Sequence, residues 1–242
     1  DFWVVLATQT AGDNAPDVMS QDNAHLPEYA RRGVLRPLDE FIGRGLDLSA
    51  FPQSALETGM VDGKLYGVSA GQATQSMIYS QTDFDSVGVA APTSETTWRE
   101  FAQLCAAVNM ANPKLYGSAE ASSENNLYGG WMRQLGKSVF TPDGKLGIDA
   151  KDVAAWLAFW QMMRDTHACV PADLAAQDKG NAETNGLTTG YAAVSFSNAQ
   201  QLLTYQSLNK DDLRLTTYPK QTKGGATGHT IYTPMLWSIS AR

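Results

Sequence analysis

Apolar residues recur along this chain in two alternating ways, as stripes spaced three and four apart and as short runs of strand length, and that alternation predicts an α/β fold. Residues 2–10 read as the tail of a helix stopped at Gly12, and 16–19 as a short buried strand running into a polar loop, Ser20-Gln21-Asp22-Asn23. Residues 26–32 form a helix ended by Gly33, where the lack of a Cβ permits the left-handed conformation. Short helical pieces follow at 38–42 and 51–60, and Asp62-Gly63 is a tight turn leading into a strand at 65–68.

A strand at 76–80 alternates, with Met77 and Tyr79 on one face, and 88–96 reads as a loop. Thr97-Trp98-Arg99-Glu100 is a capping box that starts a helix running through Val108, because the Thr hydroxyl and the Glu carboxylate can each take a backbone N–H. A strand at 115–119, a polar loop at 120–126 and a helix carrying Leu127, Trp131 and Leu135 come next. After a turn at 142–144, the strongest helix runs from 151 to 166, with Val153, Trp156, Trp160 and Met163 as its buried stripe. A helix at 182–190 leads into a strand at 192–196, Ser197-Asn198 caps a helix ending near Leu208, and strands at 213–217 and 231–239 flank a glycine-punctuated loop at 220–228.

With 242 residues the chain is long enough for one large domain or two lobes of roughly 100–150 residues, each with its own core. No run approaches the ~18–20 apolar residues of a bilayer span, which argues against a membrane-spanning chain. Eighteen basic against 25 acidic residues leave a net charge of −7 and no basic stripe, so no nucleic-acid partner is expected. Cys105 and Cys169 fit neither a redox pair nor a zinc ribbon; one possible bridge hints weakly at an oxidising compartment, and two small core residues are the plainer reading. His25, His167 and His229 are too dispersed to suggest a metal site, and no cofactor is expected. The chain begins Asp1-Phe2-Trp3, so any export signal is expected to have been removed or not included.

Gly67-Val68-Ser69-Ala70-Gly71 matches the G-x-S-x-G nucleophile elbow, with His229 downstream. That elbow needs a helix directly after the serine, and Gln72-Ala73-Thr74-Gln75 leads instead into an alternating strand. A serine hydrolase using Ser69, or a glycosidase using a pair of carboxylates, stands as the alternative function. More telling is where uncharged polar side chains fall. Gln21-Asp22-Asn23, residues 72–75, residues 120–126, and Ser197-Asn198 with Gln200-Gln201 all follow predicted strands, and in a doubly wound sheet such loops gather where ligands bind. Amides, hydroxyls and single carboxylates suit a hydroxyl-rich ligand, and Tyr128 and Trp131 could stack on a sugar ring.

Thr8-Gln9-Thr10-Ala11-Gly12-Asp13-Asn14-Ala15-Pro16-Asp17-Val18 resembles the A-G-x-x-P-D-V segment of the extracellular solute-binding proteins, family 1, of sugar ABC transporters. Tyr29-Ala30-Arg31-Arg32-Gly33 with Leu38-Asp39-Glu40-Phe41 is similar to that family's Y-A-x-x-G…L-x-P-L-D stretch. Asp62-Gly63-Lys64-Leu65-Tyr66-Gly67-Val68 resembles D-G-K-x-Y-G-x-P, Thr97-Trp98-Arg99-Glu100-Phe101 resembles T-W-D-E-F, and residues 190–196 resemble G-x-A-A-M-x-F. Five blocks in family order cover nearly the whole chain, which resembles a copy incomplete at both ends.

The resemblance implies a type II periplasmic-binding-protein fold: two α/β lobes, residues 1–73 plus 234–242 and residues 74–233, joined by hinge strands around a ligand cleft. It implies a monomeric periplasmic or extracellular, membrane-associated protein that binds a carbohydrate, closes on it and delivers it to a membrane permease without chemistry. First-lobe contacts would be Gln21, Asp22 and Asn23, with Gln72 and Thr74 at the hinge approach. Second-lobe contacts would be Glu120, Asn125, Tyr128, Ser197, Asn198 and Gln201, and His229 would begin the return crossing.

Overall fold

The computed structural model describes residues 2–241. In chain order the elements are α1 (Phe2–Ala11), β1 (Val18–Gln21), α2 (Leu26–Arg31), α3 (Gln53–Glu57), β2 (Met60–Val61), β3 (Lys64–Leu65), β4 (Val68–Ser69), β5 (Ala73–Ser80), α4 (Gln81–Val87), α5 (Trp98–Ala111) and α6 (Asn125–Gln134). They continue with α7 (Ala150–Asp165), α8 (Ala172–Ala175), α9 (Gly186–Thr189), β6 (Val194–Asn198), α10 (Leu202–Leu208), β7 (Leu213–Thr216), β8 (Ile231–Tyr232) and β9 (Leu236–Ile239). The chain divides into two compact units: one runs to Ala73 and resumes at Ile231, and the other spans Thr74–Thr230. Asp1 and Arg242, which the expected first lobe includes, lie outside the described residues.

In the first unit β9 sits between β1 and β4, antiparallel to both, with Met19 opposite Ser238 and Gln21 opposite Leu236. Alternation then sends Met19, Gln21, Leu236 and Ser238 to the covered face, where Leu6, Leu26, Tyr29 and Leu35 pack. The Asp62-Gly63 turn closes the β2–β3 hairpin as expected, with Asp62 and Gly63 both at positive φ. The single strand expected over 231–239 is instead two, β8 and β9, interrupted at Pro234, which has no N–H to give a ladder.

The second unit is built around β5, which pairs antiparallel with β6 on one side and β7 on the other. The strand expected over 115–119 forms no ladder of its own. It joins the sheet by single parallel bridges, Tyr116 to Ala192 and Ser118 to Cys169, so residues 116–119 lie between the chain at 168–170 and the chain leading into β6. The sheet is a mixed one, with parallel pairing at one side and antiparallel ladders at the other. Three runs, 116–119, 168–170 and 192–198, point the same way and end at the same edge, and β5 begins there because Gln75 pairs with Asn198.

The helices pack on this sheet through one aromatic cluster. Trp98, Phe101, Trp131, Trp156 and Trp160 are buried together, and Trp156 and Trp160 stand edge-to-face at 5.7 Å. The capping box forms as expected: Glu100 N–H donates to Thr97 Oγ1 and Thr97 N–H to the Glu100 carboxylate. The same device, Asp149 with Asp152, starts α7. Of the stripe expected on α7, Trp156, Trp160 and Met163 are buried, whereas Val153 is 38% exposed.

Two expected elements differ further. The helix at 182–190 shortens to α9, because Asp178, Asn181 and Thr184 fold the preceding residues into side-chain-bonded turns. The alternation expected for β5 is replaced by burial on both faces, Gln75, Ser76 and Ser80 included, because the strand lies inside the sheet.

Gly117 marks the tightest packing between α5 and the sheet: a Cβ there would lie 2.1 Å from the Cα of Cys105. Cys105 and Cys169 are buried free thiols, and burial raises both, Cys169 to about 12. No described helix is long and apolar enough to cross a membrane.

Candidate functional site

The edge where the three parallel runs end opens into a cavity of about 330 Å3 wholly within the second unit. Ends of parallel strands leave loops free to diverge, and each loop here contributes polar groups. The run 116–119 delivers Glu120, Ser123, Glu124 and Asn126, the run 168–170 leads to Asp178, Asn181 and Asn185, and β6 delivers Ser197, Asn198 and Gln201. Gln75 joins from the start of β5, and the apolar part of the wall includes the rings of Phe196, Tyr205 and Tyr218.

Most of these groups are held in place by one another. Gln201 accepts from the Ser197 hydroxyl and from the Asn198 N–H, at 3.3 Å for the latter. Asp178 accepts from Asn185 Nδ2 at 2.9 Å and from Gly180 N–H at 2.8 Å. Glu120 accepts from Arg164 Nη1 at 2.8 Å and from Ser122 N–H at 3.2 Å. Gln75 Oε1 accepts from Thr230 N–H at 3.2 Å. Glu124 sits at the N-cap position of α6 without capping it. Burial, then the charges of Asp178 and Glu120, push its carboxyl above the usual range.

Glu120, Ser197, Asn198 and Gln201, all singled out from the sequence, therefore line one cavity. Asn125 and Tyr128 do not line it. Tyr128 packs against Trp156 at 5.6 Å, and its buried hydroxyl has no hydrogen-bond partner among the described residues. His229 accepts from Tyr218 N–H through Nε2 and is likewise outside the lining. Gln72 is exposed and Thr74 partly buried, and their neighbour Gln75 is the one that reaches the cavity.

In the first unit, Gln21 is fully buried at the end of β1, with neither side-chain amide atom hydrogen-bonded among the described residues. Asp22 accepts from Ala24 N–H, His25 N–H and His25 Nδ1, and Asn23 Nδ2 donates to the Thr233 carbonyl at 2.8 Å. Missed from the sequence were Asp178, Asn181 and Asn185; their polar run punctuated by Gly180 was the signal, and it resembles any solvated turn.

Ser69 does not form a nucleophile elbow. It ends β4, its hydroxyl donates to the Gly71 carbonyl at 3.1 Å and lies 3.2 Å from Thr233 Oγ1, and the next helix begins only at Gln81. Among the described residues no group of three or more His, Cys, Asp or Glu is placed to hold a metal ion.

Comparisons with known proteins bear on what this arrangement is. A family model described as bacterial extracellular solute-binding protein matches residues 2–240. A binding protein of Brucella abortus is 24% identical over 176 residues, which are 67% of this chain and 41% of that one. An extracellular solute-binding protein family 1 structure from Alicyclobacillus acidocaldarius is 26% identical, with a TM-score of 0.68, over 100% of this chain and 60% of its own. An ABC substrate-binding protein from Listeria monocytogenes, solved in complex with cycloalternan, shares the fold at a TM-score of 0.82 and 24% identity, over 99% of this chain and 61% of its own. This chain thus spans about two fifths of the curated relative and three fifths of the solved ones. The fold is that of the type II periplasmic binding proteins, and the chain belongs to the bacterial extracellular solute-binding proteins.

Proposed function

We propose that this chain is the solute-binding part of an ABC importer, that its solute is a carbohydrate, and that the solute enters the second-unit cavity and leaves it chemically unaltered. The observation that carries this reading is the lining itself: amides, hydroxyls and the carboxylates of Glu120, Glu124 and Asp178 from three strand ends, beside the rings of Phe196, Tyr205 and Tyr218. Such groups match the donors, acceptors and C–H faces of a sugar or polyol. The sugar-bound Listeria structure supports the same class of solute.

Delivery to a membrane permease, action as a monomer, and residence in the periplasm or at the cell surface belong to this reading through the family. So does hinge bending, at the two places where the chain passes from one unit to the other, Ala73–Thr74 and Thr230–Ile231. Closure would be driven by the solute's preference for the closed state.

Thermal unfolding in the presence of a panel of neutral mono- and oligosaccharides tests it, since a ligand at a hundred times its Kd adds about 2.7 kcal/mol of stability. A rise in Tm with recovery of intact sugar is expected. Absence of any rise across the panel, or release of cleaved sugar, would overturn the reading.

A further inference from the structure

Glu120 lines the cavity with only one of its two carboxylate oxygens engaged. Its hydrogen bonds with described residues, from Arg164 Nη1 at 2.8 Å and from Ser122 N–H at 3.2 Å, both end on Oε1, and Oε2 takes none. The Glu120 side chain is 12% exposed, and Arg164 is not itself part of the cavity lining.

The position of Arg164 follows from its helix. Trp156, Trp160 and Met163 set the buried face of α7, and Arg164 comes next in the last turn, where a cation also suits the helix C-terminus. Its guanidinium is held a second time, since Nη2 donates to Gln161 Oε1 at 3.2 Å. A carboxylate as covered as that of Glu120 needs such a partner, because an unpaired charge taken from water is costly. With the charge answered by Arg164, the open oxygen can accept a charge-assisted hydrogen bond from a neutral hydroxyl and calls for no further cation.

We propose that Arg164 is a positioning residue for the solute: it fixes the Glu120 carboxylate through Oε1 and leaves Oε2 to accept from a hydroxyl of the carbohydrate. This inference rests on the carbohydrate reading and deepens it, by naming one acceptor and the group that orients it.

Titration calorimetry at pH 7 with D-glucose, D-galactose, D-xylose, maltose and cellobiose tests the proposal. The tightest binder is then followed through Glu120→Gln, Arg164→Met, Arg164→Lys and the Glu120→Gln/Arg164→Met double variant, with folding checked by circular dichroism. Glu120→Gln and Arg164→Met should each weaken binding about tenfold, the size of one hydrogen bond to a charged group. Arg164→Lys should stay within about threefold of the parent, because the contact with Glu120 uses a single donor, which a lysine also supplies. In the Glu120→Gln background Arg164→Met should cost no more than about another twofold, since Arg164 acts through the carboxylate. Unchanged affinity in Glu120→Gln, which keeps the side chain's shape, overturns the inference even if Arg164→Met fails to fold. So does an Arg164→Met loss as large in the Glu120→Gln background as in the parent, which is what a purely structural arginine gives. Either result leaves the carbohydrate reading standing, whereas heat from none of the five sugars overturns both.

Discussion

The imidazole of His229 accepts a hydrogen bond from the backbone N–H of Tyr218, 3.0 Å from its Nε2, and the two rings stand edge-to-face at 4.5 Å. Acceptance at Nε2 requires the neutral ring. Burial, and then the nearby Arg133 guanidinium, push the imidazole down to about 4 from its ordinary 6.5. An unfolded chain takes up this proton at higher pH than the folded one, so the contribution is fully present above about pH 6.5 and is lost as pH falls towards 4. Urea unfolding at pH 7.5, 6, 5 and 4 should show falling stability, and His229→Gln should flatten that part of the profile. An unchanged slope in the variant would contradict the assignment.

Gln134, near the end of α6, ties that helix to the chain at 219–227. Its Nε2 donates to the carbonyls of Pro219 and Thr227 at 2.7 and 2.9 Å, and its Oε1 accepts from Trp98 Nε1 at 2.8 Å. Gln134→Ala leaves an indole N–H and two carbonyls without partners, and should cost about 2–3 kcal/mol in denaturant unfolding. Gln134→Glu loses the donors and keeps the acceptor for Trp98, so it should also destabilise.

At Gly117 the obstruction is backbone, since a new Cβ would meet the Cα, Cβ and carbonyl oxygen of Cys105 between 2.1 and 2.6 Å. No rotamer change relieves it, and Gly117→Ala should lose about 3 kcal/mol or more, or fail to fold. A variant as stable as the parent would show that α5 can move off the sheet.

For Thr97→Ala a loss of about 1 kcal/mol is expected, with Thr97→Ser close to the parent, because the hydroxyl takes the Glu100 N–H. Glu100 itself is held down to about 2, first by the Thr97 N–H and then by Lys223. Its share of stability is therefore present above about pH 4.5 and is lost as pH falls towards 2, a window below that of the loss at His229.

These elements separate what the sequence displays from what it conceals. The Thr97 capping box is a four-residue signal whose parts meet locally, so it reads directly from the chain, as does the Asp62-Gly63 turn. Residues 115–119 look like a strand and lie in the sheet, yet their partners are single bridges to residues more than 45 positions away, which no local pattern specifies. Val153 fits the helical stripe and is exposed because the buried face of α7 is set by Trp156 and Trp160. Gln21 was expected in a loop because it is polar, and the β1–β9 register carries it into the core.

The candidate site divides in the same way. Glu120, Ser197, Asn198 and Gln201 were legible because they lie just after the strands that the sequence predicts at 115–119 and 192–196. Asp178, Asn181 and Asn185 come to the cavity through turns built by their own side chains, and a polar run gives no sign of which way those turns face.

The central claim is that a hydroxyl-rich solute is held by the second unit at the ends of its parallel strands. Backbone amide NMR of the isotope-labelled chain, recorded with and without a saturating carbohydrate, tests this most directly. The account predicts shifts concentrated at residues 120–126, 178–185 and 197–201, with the solute recovered intact. Shifts confined to the neighbourhood of Ser69, or none in those three segments while the sugar is bound, would contradict it.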